Sequence, residues 1–324
     1  MKVLKNNVCV VGAGYWGQNH IKTLHALGNL ACVVESNPKR LNELSKEFPK
    51  LKIFSNIDDS FNDERIQGYV VATPAITHYS IAKKIISLGK HVLVEKPLTL
   101  NSNEANLLVK FAEEKKVNLM CGHLLLFHPA IIKIKELVTS GKIGRLQYIY
   151  SNRLNHGQIR KEENVFWSLA PHDISIFQYL TDSYPTKIDS NGGIFIQDEI
   201  FDSTLTFLEY PNNVKSHIFV SWLHPFKEHR IVVIGSDGMI VFEDSSNEKL
   251  LEFHNKRFES FEENYKKING PTEIINYEEK MPLTEELIYF INHLDGKKID
   301  RANGKSAAEV IRILEDATKK LMAK

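Results

Sequence analysis

The sequence predicts an α/β protein with two domains. The first third alternates short apolar runs with amphipathic stretches, and the rest carries long runs in which apolar and polar residues alternate. Continuously apolar strands separated by helices are typical of a parallel sheet buried on both faces. Alternating strands are typical of an antiparallel sheet with one open face. The 324 residues suffice for two domains, since one domain takes roughly 100–200 residues. We place the domains at residues 1–122 and 123–324.

The composition excludes several classes of partner. Lys and Arg number 41 against 40 Asp and Glu, so no overall positive field attracts nucleic acid or an anionic membrane. No apolar run approaches the ~18 residues that span a bilayer. Cys9, Cys32 and Cys121 lack the spacing of a disulfide framework or a metal site. We therefore expect no bound metal ion. Because Met1–Asn7 does not resemble a signal peptide, we expect a cytoplasmic protein.

The first domain is predicted element by element from its apolar runs. Strands are expected at Val8–Val11, Leu30–Val34, Tyr69–Ala72, Val92–Val94 and Val117–Cys121. Helices are expected at Tyr15–Leu27, Pro38–Phe48, Thr77–Leu88 and Asn101–Lys115. Asn37 before Pro38, and Asn101 or Ser102 before Glu104, are typical of helix N-termini.

The second domain is predicted to be mainly a large open-faced, mostly antiparallel sheet. After a helix at Pro129–Ser140, alternating strands are expected at Leu146–Arg153, Ser203–Tyr210, Val214–Leu223, Arg230–Ile234 and Gly238–Phe242. Glu259–Gly270 is interpreted as a loop or weak helix, and helices at Leu283–Leu294 and Ser306–Met322 end the chain. Because exposed apolar area on an open sheet face usually marks an interface, we expect a homodimer or homotetramer.

A complete G-x-G-x-x-G stands between the first strand and the first helix, at Gly12, Gly14 and Gly17. In a dinucleotide site the first glycine permits the tight turn, the second lets the backbone approach a pyrophosphate, and the third lets the helix pack on the strand. The helix N-terminus offers free N–H groups to the phosphates. The motif therefore predicts an N-terminal Rossmann dinucleotide-binding domain, with a purely structural glycine turn as the alternative.

An acidic residue at the end of the second strand agrees with this interpretation. Glu35 lies 18 residues after Gly17, where a carboxylate accepts the hydroxyls of an adenosine ribose and repels a 2′-phosphate. NAD is therefore favoured over NADP as the cofactor. Arg40 leaves NADP open, because a nearby arginine serves a 2′-phosphate, unless Arg40 lies on the exposed helix face.

Three blocks together resemble the Gfo/Idh/MocA oxidoreductases: the glycine loop, residues 70–78 (VVATPAITH) and Glu95-Lys96-Pro97. The resemblance covers essentially the whole chain and implies chemistry on a secondary alcohol of a sugar or polyol. The cofactor-binding positions that the glycine motif and the resemblance indicate are Gly12, Gly14, Tyr15, Trp16, Gly17, Glu35, Thr73, Pro74, His78, Glu95 and Lys96.

The resemblance implies two catalytic residues. Lys96 matches the lysine that lies near the nicotinamide and the reacting carbinol, and it follows a buried strand at the sheet edge where ligands bind. His172 matches a histidine that reaches the carbinol, and its ordinary pKa suits a general base. Many members carry an aspartate four residues before this histidine, where this chain has Ser168. Asp173 either orients a neighbour or caps the helix.

Residues 145–168, 122–129 and 167–174 resemble a branch of the family that oxidises UDP-N-acetylglucosaminuronic acid at C3, in the synthesis of bacterial surface polysaccharides such as O-antigen. His156 and Leu169 depart from that branch. Arg160 and Lys161 equally fit a solvated charge run, and His123 and His128 equally fit packing histidines. The substrate-binding residues expected from these blocks are Arg153, Asn152, Asn155, Arg160, Lys161, Asp173 and His123.

The expected reaction is hydride transfer from the C3 carbon of a nucleotide sugar to NAD. His172 takes the hydroxyl proton, and Lys96 stabilises the developing alkoxide. The resemblance further implies that bound NADH is reoxidised by 2-oxoglutarate. A polyol (inositol-type) dehydrogenase and a deoxysugar ketoreductase are alternatives on the same fold, and a non-catalytic NAD-binding regulator is an alternative from another class.

Overall fold

The computed structural model describes residues 7–323, which divide into two compact units. The first unit contains the chain up to Phe127 and the segment Met281–Arg312, and the second contains His128–Lys280 and the chain from Ile313 onward. The expected division into 1–122 and 123–324 stays a prediction, and in these compact units the chain returns to the first unit near its C-terminus.

Hydrogen bonds to the last strand of the first sheet explain this return. The side-chain amide of Asn118 donates to the carbonyl oxygens of His293, at 2.9 Å, and Lys297, at 2.7 Å. The backbone N–H of Cys121 donates to the carbonyl of Ala302 at 2.8 Å. The partners are far apart in sequence, so local patterns do not reveal them.

The first unit is built on a six-stranded parallel sheet with the order β3-β2-β1-β4-β5-β6. The strands are β1 (Val8–Val11), β2 (Leu30–Val34), β3 (Lys52–Phe54), β4 (Gly68–Val71), β5 (His91–Val94) and β6 (Leu119–Cys121). The helices between them are α1 (Tyr15–Leu27), α2 (Pro38–Glu47), α3 (Ile57–Ser60), α4 (His78–Ser87) and α5 (Ser102–Lys115). Every residue of β1, β2, β4 and β5 is buried, which confirms a parallel sheet covered on both faces.

The second unit contains an eight-stranded sheet with the order β14-β13-β12-β11-β7-β10-β9-β8. Only β7 and β10 pair in parallel, so the expectation of a mostly antiparallel sheet is confirmed. The strands are β7 (Leu146–His156), β8 (Lys187–Gly193), β9 (Ser203–Glu209), β10 (Lys215–Ser221), β11 (Leu223–Gly235), β12 (Met239–Glu243), β13 (Leu251–Phe261) and β14 (Asn264–Ile274). The helices of the chain after residue 127, counted over both units, are α6 (Pro129–Thr139), α7 (Val165–Leu169), α8 (Pro171–Thr181), α9 (Pro282–Ile291) and α10 (Gly304–Met322).

The two faces of the second sheet differ in burial. Along β7, Ile149, Ser151 and Arg153 are buried, whereas Tyr150 and Asn152 between them are partly exposed. Since successive side chains of a strand point to opposite faces, one face is covered and the other is open. The oligomer expected from this open face stays a prediction. Within residues 7–323 each helix is too short or too polar to cross a bilayer.

The segment Glu259–Gly270 is a β-hairpin, so the expectation of a loop or weak helix was wrong. It belongs to β13 and β14, which pair with each other in antiparallel fashion, for example at Glu259 and Lys266. Phe258 and Tyr265 are exposed. The outer part of the hairpin buries neither face, so it lacks the alternation by which a strand is recognised in a sequence.

Candidate active site

The three glycines of the loop after β1 serve different purposes. A Cβ on Gly12, whose φ is +94°, would lie 2.7 Å from the carbonyl oxygen of Ala72, and a Cβ on Gly17 would collide with the carbonyl of Gly12. These two positions therefore need glycine for the fold itself. A Cβ on Gly14 would meet no atom within 4 Å. The space beside Gly14 is thus open to a ligand.

This space belongs to a cavity of about 760 Å³ at the carboxyl ends of β1, β2 and β4. Glu35 stands in it with both oxygens fixed by the backbone: Oε2 accepts from the N–H of Ala13 at 2.7 Å and Oε1 from that of Asn37 at 2.8 Å. Arg40 also lines the cavity, and its guanidinium is paired with Glu43.

The cavity fits a dinucleotide. Gly14 leaves room for a pyrophosphate at the start of α1, whose first turn carries no acidic residue. The Glu35 carboxylate is held where a ribose hydroxyl is recognised in this fold. Tyr15, at the first position of α1, is 87% exposed, so its ring does not serve the core.

His78 braces two loops at the same edge of the sheet. Its ring nitrogens lie 2.8 Å from the carbonyl oxygen of Pro97 and 2.9 Å from that of Thr73. The Thr73 hydroxyl is also bonded to that of Thr77, at 2.7 Å. Because His78 is buried and both its nitrogens are engaged, it positions the loop of Thr73 and Pro74 and does not offer a free contact to the cofactor.

Glu95 likewise positions its neighbours through hydrogen bonds. Its Oε1 accepts a hydrogen bond from the indole N–H of Trp16 and lies 2.7 Å from Nε2 of His20, and its Oε2 accepts from the backbone N–H of Lys96 at 3.1 Å. Two expected cofactor contacts, Trp16 and Glu95, therefore contact each other. They connect α1 to the segment that carries Lys96, which is half-buried two residues after β5.

His123 lies just beyond β6 and is 2% exposed. Among residues 7–323 neither ring nitrogen has a hydrogen-bond partner. Burial, together with the charge of Lys96 and against the opposing charge of Glu95, lowers the pKa of His123 to about 4. The imidazole is therefore neutral near pH 7.

In the second unit, Arg153 and Asp173 form a buried ion pair. The guanidinium donates from Nε to Oδ2 at 2.8 Å and from its NH2 group to Oδ1 at 3.1 Å. Arg153 is 8% exposed and Asp173 is 2% exposed. Asp173 thus orients a neighbour and does not cap the helix, and the guanidinium expected to bind a substrate anion is engaged by this carboxylate.

His172 is the second residue of α8, directly after Pro171, as expected. It is half-buried, and its carbonyl oxygen accepts from the Ser175 hydroxyl at 2.8 Å. The helix thus holds His172 next to Asp173, the partner of Arg153. Lys96 belongs to the first unit and His172 to the second.

The other expected substrate residues are placed differently. Asn152 lies on the opposite face of β7 from Arg153, and its amide donates to Glu228 at 2.9 Å. Asn155 is half-buried near the end of β7, and Arg160 and Lys161 are exposed in the segment that follows. Asn152 is therefore not brought together with His172, whereas the cationic pair is open to solvent.

His229 is a residue that sequence reasoning missed. It stands beside Arg153 in the β11–β7 register. Burial and the positive charges of Arg153 and Lys227 lower its pKa to about 4. Only the strand pairing reveals this neighbour, because the two residues are far apart in the sequence.

Comparisons with known proteins agree with this geometry. Residues 6–123 match the model of the oxidoreductase family with an NAD-binding Rossmann fold, and residues 131–241 match the C-terminal domain of the same Gfo/Idh/MocA proteins. The chain belongs to the Gfo/Idh/MocA oxidoreductase family. This confirms the expected class, an oxidoreductase that uses NAD.

Two curated relatives show the range of named activities. A UDP-N-acetylglucosamine 3-dehydrogenase of Acidithiobacillus ferrooxidans is 28% identical over 191 residues, which are 59% of this chain and 59% of that protein. A scyllo-inositol 2-dehydrogenase (NAD(+)) of Bacillus subtilis is 26% identical over 245 residues, 71% of this chain and 72% of that protein.

Solved structures share the whole fold. That of UDP-N-acetylglucosamine 3-dehydrogenase GnnA from Acidithiobacillus ferrooxidans has a TM-score of 0.84 at 21% identity and covers 98% of each chain. That of GenD2 from gentamicin A biosynthesis, in complex with NAD, has a TM-score of 0.79 at 20% identity and covers 98% of this chain and 94% of that one. The two-domain architecture is thus that of the family.

Proposed function

We propose that this oxidoreductase oxidises the C3 hydroxyl of a UDP-linked 2-acetamido sugar. The observation that carries the proposal is the arrangement of the second unit. It holds His172 half-buried at the start of α8 and leaves Arg160 and Lys161 exposed between β7 and α7. Exposed cations suit an anionic substrate such as a sugar nucleotide. The name of the Acidithiobacillus relative supports the same substrate class.

The chain's own residues have distinct roles in this proposal. His172 takes the proton of the C3 hydroxyl as general base. The Lys96 ammonium stabilises the developing alkoxide. Asp173 and Arg153 fix the start of α8 through their ion pair. Bound NAD supplies the hydride acceptor, and the pyrophosphate site beside Gly14 orients it.

The uronate and neutral forms of the sugar are the two substrates to compare. The exposed Arg160 and Lys161 favour UDP-N-acetylglucosaminuronic acid, which carries a carboxylate besides its phosphates. The neutral UDP-N-acetylglucosamine is favoured by the relative's name. Because Asp173 engages Arg153, the preference for the uronate depends on the two exposed cations.

The test is the appearance of NADH by near-ultraviolet absorbance. Purified protein receives NAD with UDP-N-acetylglucosaminuronic acid, UDP-N-acetylglucosamine or myo-inositol, each with and without 2-oxoglutarate. We expect a signal from the uronate that is limited to one enzyme equivalent, and a loss of this signal with 2-oxoglutarate if 2-oxoglutarate reoxidises the cofactor. A signal from UDP-N-acetylglucosamine alone would show that the neutral sugar nucleotide, and not the uronate, is the substrate. A signal from myo-inositol alone would contradict the proposal.

Variants separate catalysis from binding. Lys96→Ala is expected to abolish turnover while NADH still binds, because the ammonium acts on the alkoxide. Lys110→Ala on the exposed side of α5 is the matched control and is expected to retain turnover. If Lys96→Ala kept full turnover, the role of Lys96 would be wrong and a binding function without catalysis would gain support.

The inositol-type dehydrogenase is the second candidate function. The Bacillus relative with that name favours it, since it aligns with 71% of this chain. A free polyol carries no anion and would leave Arg160 and Lys161 without a role. Substitution of both cations by Ala would then leave polyol turnover unchanged, whereas the KM for a sugar nucleotide would rise.

A further inference from the structure

A short segment of the second unit, residues 194–201 between β8 and β9, exposes three consecutive apolar side chains. We call this segment the Phe195 loop. Phe195 is 70% exposed, and Ile194 and Ile196 on either side of it are also exposed. The roles proposed above use none of these side chains. Single exposed apolar residues are ordinary, but adjacent ones mark surfaces that bind a ligand or a partner.

A buried carboxylate holds the backbone of the Phe195 loop. Asp202, which directly follows the loop, is fully buried. Its Oδ2 accepts hydrogen bonds from the backbone N–H groups of Phe195, at 2.7 Å, and Ile196, at 2.9 Å. Its Oδ1 accepts from the indole N–H of Trp222 at 2.6 Å. A buried carboxylate is very unfavourable without such bonds, so the loop is held in the conformation that supplies them.

The ring of Phe195 lies against the backbone of Gly193. A Cβ on Gly193 would lie 2.3 Å from Cζ of this ring and 2.4 Å from Cε2. The ring therefore occupies the space that a larger residue at position 193 would need, while most of its surface stays open to solvent. An aromatic side chain that is already held in place loses little conformational entropy when a ligand covers it.

The Phe195 loop is joined to the segment that carries the two exposed cations. The side-chain amide of Gln197 donates a hydrogen bond to the carbonyl oxygen of Arg160. Lys161 follows directly, and both cationic side chains are exposed. The aromatic ring and the two cations thus belong to neighbouring segments of one unit.

The far end of the loop contacts the helix that precedes the proposed general base. The backbone N–H of Val165, the first residue of α7, donates to the carbonyl oxygen of Phe201 at 3.0 Å. Only Ala170 separates α7 from α8, and His172 is the second residue of α8. The loop is therefore connected to the cations at one end and to the helices of the general base at the other.

The chemistry of these segments fits a nucleotide. Asp198, Glu199 and Glu162 are exposed there as well and offset the charge of Arg160 and Lys161, so charge alone does not select an anion. An open aromatic ring adds a contact that is independent of charge, because every nucleobase has a flat π face. A nucleotide uses both the ring and the cations, whereas a free polyol uses neither.

We propose that Phe195 stacks on the base of the sugar nucleotide while Arg160 and Lys161 contact its phosphates. This proposal rests on the proposed function, since it requires a nucleotide-linked substrate. Phe195 is then a specificity-determining residue that acts far from the reacting carbon. Stacking that is equal in the ground state and the transition state lowers KM without changing kcat.

Isothermal titration calorimetry of the NADH-loaded protein with UDP measures the stacking contact. Phe195→Ala is expected to raise the Kd of UDP by about 5–150-fold. Phe258→Ala, on the β13–β14 hairpin, removes a ring of similar exposure, 65%, and is the matched control with an unchanged Kd. In turnover of UDP-N-acetylglucosaminuronic acid, Phe195→Ala is expected to raise KM and to leave kcat unchanged, a split that general damage to the fold would not produce.

Two further variants test whether the placed ring is responsible. Phe195→Tyr keeps an aromatic face and is expected to keep the wild-type Kd of UDP. Gly193→Ala leaves Phe195 in the chain but puts a methyl group where the ring lies, so it is expected to raise the Kd of UDP as Phe195→Ala does.

A Phe195→Ala protein that binds UDP with the wild-type Kd would overturn the proposal, even while sugar nucleotides are still oxidised. A change of oligomeric state in Phe195→Ala, measured by light scattering, would also overturn it, because a second copy of the chain would then cover the ring. If the wild-type protein binds no UDP and oxidises only myo-inositol, the proposed function itself is wrong and the stacking proposal is overturned with it.

Discussion

Substituting Gly14 by Ala is expected to weaken cofactor binding without harming the fold. The backbone of Gly14 has φ −65° and ψ −168°, a conformation open to any L-residue. The new Cβ would meet no atom within 4 Å. Gly→Ala at such a position stabilises by about 0.4–1 kcal/mol through the unfolded chain. This corresponds to a Tm higher by about 1–4 °C.

The affinity for NADH is expected to change in the opposite direction. The methyl group fills the space through which a pyrophosphate approaches the first N–H groups of α1. Loss of one charge-assisted hydrogen bond costs about 1.5–3 kcal/mol, which is a rise in Kd of about 10–150-fold. NADH fluorescence titration and thermal unfolding of the same sample measure the two effects.

Gly12→Ala is the contrasting variant. Its φ of +94° and the 2.7 Å approach to the Ala72 carbonyl predict a loss of about 1–3 kcal/mol of stability. If Gly14→Ala bound NADH with the wild-type Kd, the pyrophosphate would not lie beside Gly14. If it unfolded like Gly12→Ala, the space beside Gly14 would not be open.

Three further variants test other parts of the site. Asp173→Asn leaves the Arg153 guanidinium buried without a counter-charge, so urea unfolding should show a loss of about 3–5 kcal/mol; a loss near zero would mean that the ion pair is not formed in solution. Glu35→Gln removes the charge that repels a 2′-phosphate, and the ratio of NADPH to NADH affinity should rise by about 10-fold; an unchanged ratio would show that Glu35 does not face the ribose. His123 is neutral in the fold with a pKa of about 4, against 6.5 ordinarily, so its contribution to stability is present above pH 6.5 and is lost as the pH falls to 4. His123→Gln should therefore be more acid-resistant by about 3 kcal/mol at pH 4, and an identical pH profile of unfolding for variant and wild type would contradict the burial of a neutral imidazole.

Local patterns predicted the first sheet well because its strands are buried on both faces. Leu30–Val34 was expected as a strand and is β2 with these bounds. The glycine loop was predicted from the steric demands that the structure shows at Gly12 and Gly17. The short β3 and α3 were missed, since Lys52–Phe54 and Ile57–Ser60 are too short to show a period.

Long-range partners were beyond the reach of local patterns. The return of residues 281–312 to the first unit depends on hydrogen bonds such as that from Asn118 to His293, 175 residues away. Arg153 was interpreted as a substrate contact because the sequence does not show that Asp173 takes its guanidinium. Glu286 lies in no motif of the sequence, and only the structure shows that this carboxyl group is fully buried.

The most direct test of the proposed chemistry uses a UDP-N-acetylglucosaminuronic acid that carries deuterium at C3. After a single turnover with NAD, we predict that mass spectrometry finds the deuterium in the reduced cofactor and that the reaction is slower than with the unlabelled sugar. The neutral UDP-N-acetylglucosamine labelled at the same carbon serves as the parallel substrate. Reduced cofactor without deuterium, or deuterium retained in an oxidised sugar, would contradict hydride transfer from C3.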